Sequence, residues 1–156
     1  MLLVIEIFAT LLVLGILSGF LRTWQIQNDE REKIFLAGTV PNPVLDGLYY
    51  GAVPGHTVSW LGKKFYAARE KGINVFSDGK GGEVEQYPFV TSVGKGLHEK
   101  NLDVLKIDYD IPGNPVWLRL VVDEVVQVAP GWYLGKLEAR MIPGYPFALT
   151  YFELKQ

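Results

Sequence analysis

The chain contains no cysteine. Disulfides, thiolate nucleophiles and thiolate-bound metals are therefore excluded. It has only two histidines, His56 and His98, and neither belongs to an HxxxH or HExxH pattern. A histidine-rich metal site is not expected, and a single imidazole with carboxylates is the arrangement left open. A basic excess is also lacking. Setting aside the three basic and four acidic residues before position 38, twelve Lys and Arg remain against thirteen Asp and Glu. Such a balance offers no basic stripe, and no nucleic-acid partner is expected. Complete catalytic signatures are missing as well. The tract SDGKGGE at 77–83 lacks the GxxxxGK[ST] spacing and has no helical pattern after it, and Gly94-Lys95-Gly96 fails in the same way. Both read as turns. With no nucleophile elbow or triad, no catalytic residue, metal or cofactor is assigned.

What is present begins with an apolar run over residues 2–21, LLVIEIFATLLVLGILSGFL, in which Glu6 is the only charge. Twenty helical residues span about 30 Å, the thickness of a bilayer's hydrocarbon core. A cleaved secretory signal would show a positive n-region, a shorter apolar core and a small-x-small site. None is evident, so the run is expected to be an uncleaved single-pass membrane anchor. Arg22, Arg31 and Lys33 follow the run and no Lys or Arg precedes it, which places the remaining chain on the cytoplasmic side. Glu6 can snorkel to the near interface or pair within a bundle, and Trp24 suits the headgroup layer. Gly15 and Gly19 form a GxxxG spacing that would admit a partner helix or a second copy. The charged segment that follows predicts a continued helix to about residue 36. The organisation expected is an anchor at 1–22, a juxtamembrane helical stalk at 23–37, and one domain at 38–156.

That domain reads as mainly β. Short runs of aromatic and β-branched residues alternate with Gly, Pro, Asn and Asp, predicting strands near 47–53, 63–67, 74–77, 86–92, 104–109, 132–140 and 147–154. Residues 114–131 fit two patterns. Asn114-Pro115, the face made by Leu118, Val121, Val122, Val125 and Val128, and the Arg119/Asp123 spacing predict a short helix across a barrel mouth. The β-branched content and the alternation of Leu118, Leu120 and Val122 suit a strand. The helix is the expectation.

Many short antiparallel strands close most economically as an up-and-down barrel or a tight sandwich. Gly47-Leu48-Tyr49-Tyr50-Gly51, then Pro54-Gly55-His56, then Trp60-Leu61-Gly62-Lys63-Lys64-Phe65 resemble the small calycin-like domains named for a GXWXG motif, with Tyr49 where the motif has tryptophan. Lys106-Ile107-Asp108-Tyr109-Asp110, Pro115, Arg119 and Val122-Asp123-Glu124 are similar to the IYD, P, FR and VDD run of the domain that accompanies it. The resemblance implies an antiparallel calycin-like (lipocalin-like) β-barrel with an apolar interior, preceded here by a single transmembrane helix. It implies a binding habit and no reaction.

The domain is also rich in aromatic residues, and inward hydroxyl and indole groups would need polar partners such as a ligand pocket supplies. The expected ligand-binding set is Tyr49, His56, Trp60, Phe65, Phe89, Tyr109, Trp117, Arg119, Tyr133 and Tyr151. Three functions follow. One is a membrane-anchored barrel that binds or carries a small apolar compound, such as a lipid, prenyl compound or pigment. Another is a small anchored enzyme, which needs His56, Asp108 and Asp110 or Arg119 to converge. The last is an assembly subunit docking through Gly15 and Gly19.

Overall fold

The computed structural model describes residues 2–156. Strands β1 (Gly47–Ala52), β2 (Trp60–Tyr66), β3 (Lys71–Ser77), β4 (Glu83–Lys95), β5 (Asp103–Asp108), β6 (Val121–Ala129), β7 (Trp132–Ile142) and β8 (Tyr145–Lys155) follow in chain order. Each pairs antiparallel with the next, and β1 pairs with β8 to close the barrel. Closure pairs each strand on both sides and so removes the edges that such apolar strands would otherwise present. Helices α1 (Leu2–Gln27) and α2 (Glu30–Leu36) precede the barrel.

The helix expected over 114–131 is corrected to a single 3-10 turn at Leu118–Leu120 followed by β6. Its valines are hydrogen-bonded between β5 and β7. Residues Val122 to Val126 are all buried, because the inner face meets the barrel interior and the outer face is covered. A strand buried on both sides shows no polar face, and its pattern then imitates a buried helix. The expected Arg119/Asp123 pair is absent as well. Arg119 donates to Asp110 at 2.7 Å, while Asp123 turns inward to Lys63 at 2.8 Å.

The helix expected to run unbroken to about residue 36 breaks at 28–29. Asp29 takes an extended conformation, φ −75° and ψ 149°, and its side chain accepts the Arg31 backbone N–H, capping α2. The break lets α2 turn onto the barrel, where Phe35 and Glu32 are buried against the outer face. Ile26, Phe35, Val104, Val126, Leu134, Ala148 and Tyr151 form an outer apolar cluster there. Burial of each large apolar side chain is worth about 1.5–3 kcal/mol, so this cluster holds the helices firmly to the barrel.

The end of α1 runs alongside β8 in the same direction. Phe20 meets Phe147 edge to face at 5.2 Å, Thr23 Oγ1 accepts the Ala148 N–H at 3.1 Å, and Arg22 Nε donates to Leu149 O at 2.7 Å. Gly19 makes this approach possible, since a Cβ there would lie 2.7 Å from the Phe147 ring. Half of the GxxxG spacing is thus used within the chain, and Gly15 faces open space. Residues 3–15 of α1 are exposed and project beyond the end of the barrel at which β8 begins.

Candidate functional site

The barrel is packed at one end and hollow at the other. At the packed end, Tyr49 meets Phe65 at 5.6 Å and Tyr133 at 5.5 Å, and Phe65 meets Phe89 at 5.4 Å, all edge to face. These rings fill the interior between the β2–β3, β4–β5 and β6–β7 turns. At the opposite end the interior opens into a cavity of about 620 Å³. Its wall is apolar, built from Val53, Trp60, Phe76, Tyr87, Leu118, Leu137, Ala139 and Phe152 among others. The volume falls in the range that encloses a small organic ligand.

The floor of the cavity carries its polar groups. Alternation along β2 points Lys63 inward with Phe65, and alternation along β6 points Asp123 inward between Val121 and Val125. They meet as a buried ion pair at 2.8 Å. The Lys63 ammonium also donates to Asn74 Oδ1 at 2.9 Å and to the Tyr109 hydroxyl oxygen, so its three protons are used. Rings of Trp60, Phe89, Tyr109 and Phe152 surround it at 5.2–5.3 Å. Tyr109 donates to Asp123 Oδ2 at 3.0 Å, and Asn74 donates to Tyr109 at 3.1 Å and to Tyr87 O at 3.0 Å. Burial pushes the Lys63 ammonium below its ordinary range while Asp123 opposes the change. Burial and the neighbouring Asp123 raise the Tyr109 phenol well above its ordinary range, which keeps it a donor. One atom is left over. Asp123 Oδ1 is buried and has no partner among the described residues.

The ten residues expected to bind ligand are thereby sorted. Trp60, Tyr109 and Trp117 line the cavity. Tyr49, Phe65, Phe89 and Tyr133 belong to the packed core. Tyr151 faces outward and bonds Glu32. His56 is exposed in the β1–β2 turn, and Arg119 is tied to Asp110 on the surface. None of the residues that an enzyme reading required lines the cavity: His56 is exposed, Asp108 is held by two bonds from Arg140, and Asp110 is held by Arg119. Lys63, Asn74 and Asp123 were missed. Their signal is a charge or amide on the inward phase of an apolar alternation, at two positions of opposite sign.

No family model matches the chain, and no curated protein matches it in sequence. In shape it is similar to the crystal structure of a protein from Thermomonospora curvata, at 17% identity and a TM-score of 0.56, over 82% of this chain and 87% of that one. At such identity the likeness is one of fold.

Proposed function

We propose that the protein is a membrane-anchored, lipocalin-like barrel that takes a small apolar compound from the bilayer, and that this compound carries one hydroxyl or N–H group. The carrying observation is the cavity itself, apolar on its walls, with Asp123 Oδ1 unpartnered at its floor. A buried acceptor without a partner is costly, on the order of 1–3 kcal/mol, and a ligand donor would relieve it. The Lys63 and Asp123 charges cancel, so the floor favours a neutral alcohol or amide-type N–H donor over an acid. A lipid, prenyl compound or pigment bearing a hydroxyl fits that description.

The direction of loading follows from the anchor. The exposed apolar half of α1 projects from the same end of the barrel as the cavity mouth. Around that mouth, Val116, Trp117, Leu120, Met141 and Tyr145 stand exposed. Exposed apolar side chains grouped in this way suit a lipid surface. The charged β3–β4 tip, with Asp78, Lys80 and Glu83, lies across the barrel from α1, so the barrel leans on the bilayer by its helix side. The docking of Phe20, Thr23 and Ile26 on the barrel favours a retained anchor over a cleaved signal, and Arg22, Arg31 and Lys33 favour a cytoplasmic domain.

The test is to purify the full-length protein in mild detergent, extract it with organic solvent, and identify retained molecules by mass spectrometry. The expected result is a stoichiometric hydroxylated apolar compound, absent from the detergent blank and lost in the cavity-filling variant Ala139→Phe. A folded protein that retains nothing, and whose melting temperature does not respond to added long-chain alcohols, would overturn the reading.

A further inference from the structure

On the outer face of β6 and β7, alternation points Glu124, Lys136 and Glu138 away from the cavity, and the 96–102 loop folds over them with His98 and Glu99. Glu99, Glu124 and Glu138 each offer an oxygen within 4.8 Å of the others. Glu124 and Glu138 are fully buried. The oxygens divide into those that are anchored and those that are free. Glu99 Oε1 is held by Lys136 Nζ at 2.8 Å and Glu124 Oε1 by the Leu97 N–H at 2.6 Å. Glu99 Oε2, Glu124 Oε2 and both oxygens of Glu138 have no hydrogen-bond partner among the described residues. His98 Nε2 is likewise unpartnered and stands 3.6 Å from Glu138 Oε2.

Lys136 does not balance this group. Its ammonium is spent on Glu99 and, at 3.0 Å, on Glu32. Four carboxylates therefore crowd around Lys136, with Lys106 across the β5–β6 pair from Glu124 as the other nearby cation, and the two most deeply buried receive no bond from either. Uncompensated buried carboxylates are costly, and the usual remedies are a proton or a cation. The orientation of the free atoms points to the cation. Carboxylates anchored through one oxygen present the other inward, which is how supporting hydrogen bonds aim metal ligands. His98 Nδ1 lies 3.3 Å from the Gln27 side-chain amide. The atom facing Nδ1 is the amide nitrogen, Gln27 Nε2; half a turn of the amide would present its oxygen instead, fix the proton on Nδ1 and free the Nε2 lone pair toward Glu138. A shallow pocket bordered by Leu36, His98, Glu99 and Leu102 opens to solvent beside His98 and Glu99.

We propose that His98, Glu99, Glu124 and Glu138 bind a divalent first-row transition metal. Three carboxylates and one imidazole, without thiolate, suit zinc, manganese or ferrous iron, whereas calcium and magnesium prefer oxygen alone. The ion would tie the 96–102 loop to β6 and β7, and through Lys136 and Gln27 it would bind α2 and the end of α1 to the barrel. Its role is to clamp the barrel onto its anchor, independent of what the cavity holds.

The full-length protein in mild detergent, stripped with chelator, is titrated with Zn²⁺ and separately with Co²⁺, whose visible absorption reports its ligands. One equivalent per chain is expected, with a Co²⁺ band and a rise in melting temperature. His98→Ala and Glu138→Gln should each weaken binding by at least about a hundredfold, and Gln27→Ala by about tenfold or more, with the chelated variants still folded. His98 is part-exposed, so His98→Ala stays decisive even if Glu138→Gln does not fold. Absence of stoichiometric binding, or binding that survives both ligand variants, would overturn the proposal.

Discussion

Asp123 and Glu124 are neighbours on one strand and point to opposite faces of it, and the charges they join are balanced in opposite ways. Inside the barrel, Asp123 meets Lys63 one to one, and Asn74, Tyr109 and four rings complete the enclosure. A single oxygen is left without a partner. Outside, Glu124 joins Glu32, Glu99 and Glu138 around Lys136, with several acceptors left over. The inner group is nearly self-sufficient and asks a neutral ligand for one hydrogen bond. The outer group has more buried carboxylates than cations, a deficit that protons or the proposed metal ion would offset. Burial alone does not distinguish the two groups; a count of donors against acceptors does.

The largest expected effect comes from breaking the balanced pair. Lys63→Met or Asp123→Leu alone leaves an uncompensated buried charge and should cost about 3–5 kcal/mol in denaturant unfolding. The double variant Lys63→Met/Asp123→Leu should recover most of that loss. If the double variant is as unstable as the singles, the pair is not the isolated, self-compensating unit described above.

The outer group should respond to pH. In chelator-treated protein, burial, with Glu124 beside it, raises the Glu138 carboxyl from its ordinary 4.5 to about 8. Burial likewise raises Glu124 to about 6. Both are raised in the folded state, so the folded chain holds protons that the unfolded chain has released. Their stabilising contribution is complete below about 4.5 and is lost as pH rises through 6 and then 8. Melting temperature should therefore fall across that window in the metal-free protein, by the equivalent of a few kcal/mol. Glu138→Gln should flatten the fall. A metal-free protein whose stability is level from pH 5 to pH 8 would show the carboxylates to be solvated.

Much of the fold was legible because period-2 runs and glycine-rich turns report strands locally. A helix long and apolar enough to cross a membrane was legible from length and apolarity alone. Residues 114–131 were not, because covering by α2 and the 96–102 loop removes the polar face that marks a half-buried strand. Nor does a list of aromatics say which end of a barrel is filled. Tyr49, Phe65, Phe89 and Tyr133 close one end, while Trp60, Tyr87 and Phe152 leave room at the other. Lys63 and Asp123 are sixty residues apart, and only barrel closure brings their strands' inner faces together. The outer carboxylates depend on a loop folding back, for which the local sequence carries no pattern.

The central claim is that the cavity mouth faces the bilayer, and the absence of cysteine makes it directly measurable. Single-cysteine variants Met141→Cys, at the mouth, and Lys100→Cys, at the packed end, would be labelled with a nitroxide in the full-length protein and reconstituted into lipid bilayers. Collision rates with oxygen, which concentrates in lipid, and with a water-soluble nickel chelate would then be compared. The account predicts a label at position 141 that is open to oxygen and shielded from nickel, and the reverse at position 100. Equal exposure of both labels to nickel would contradict it.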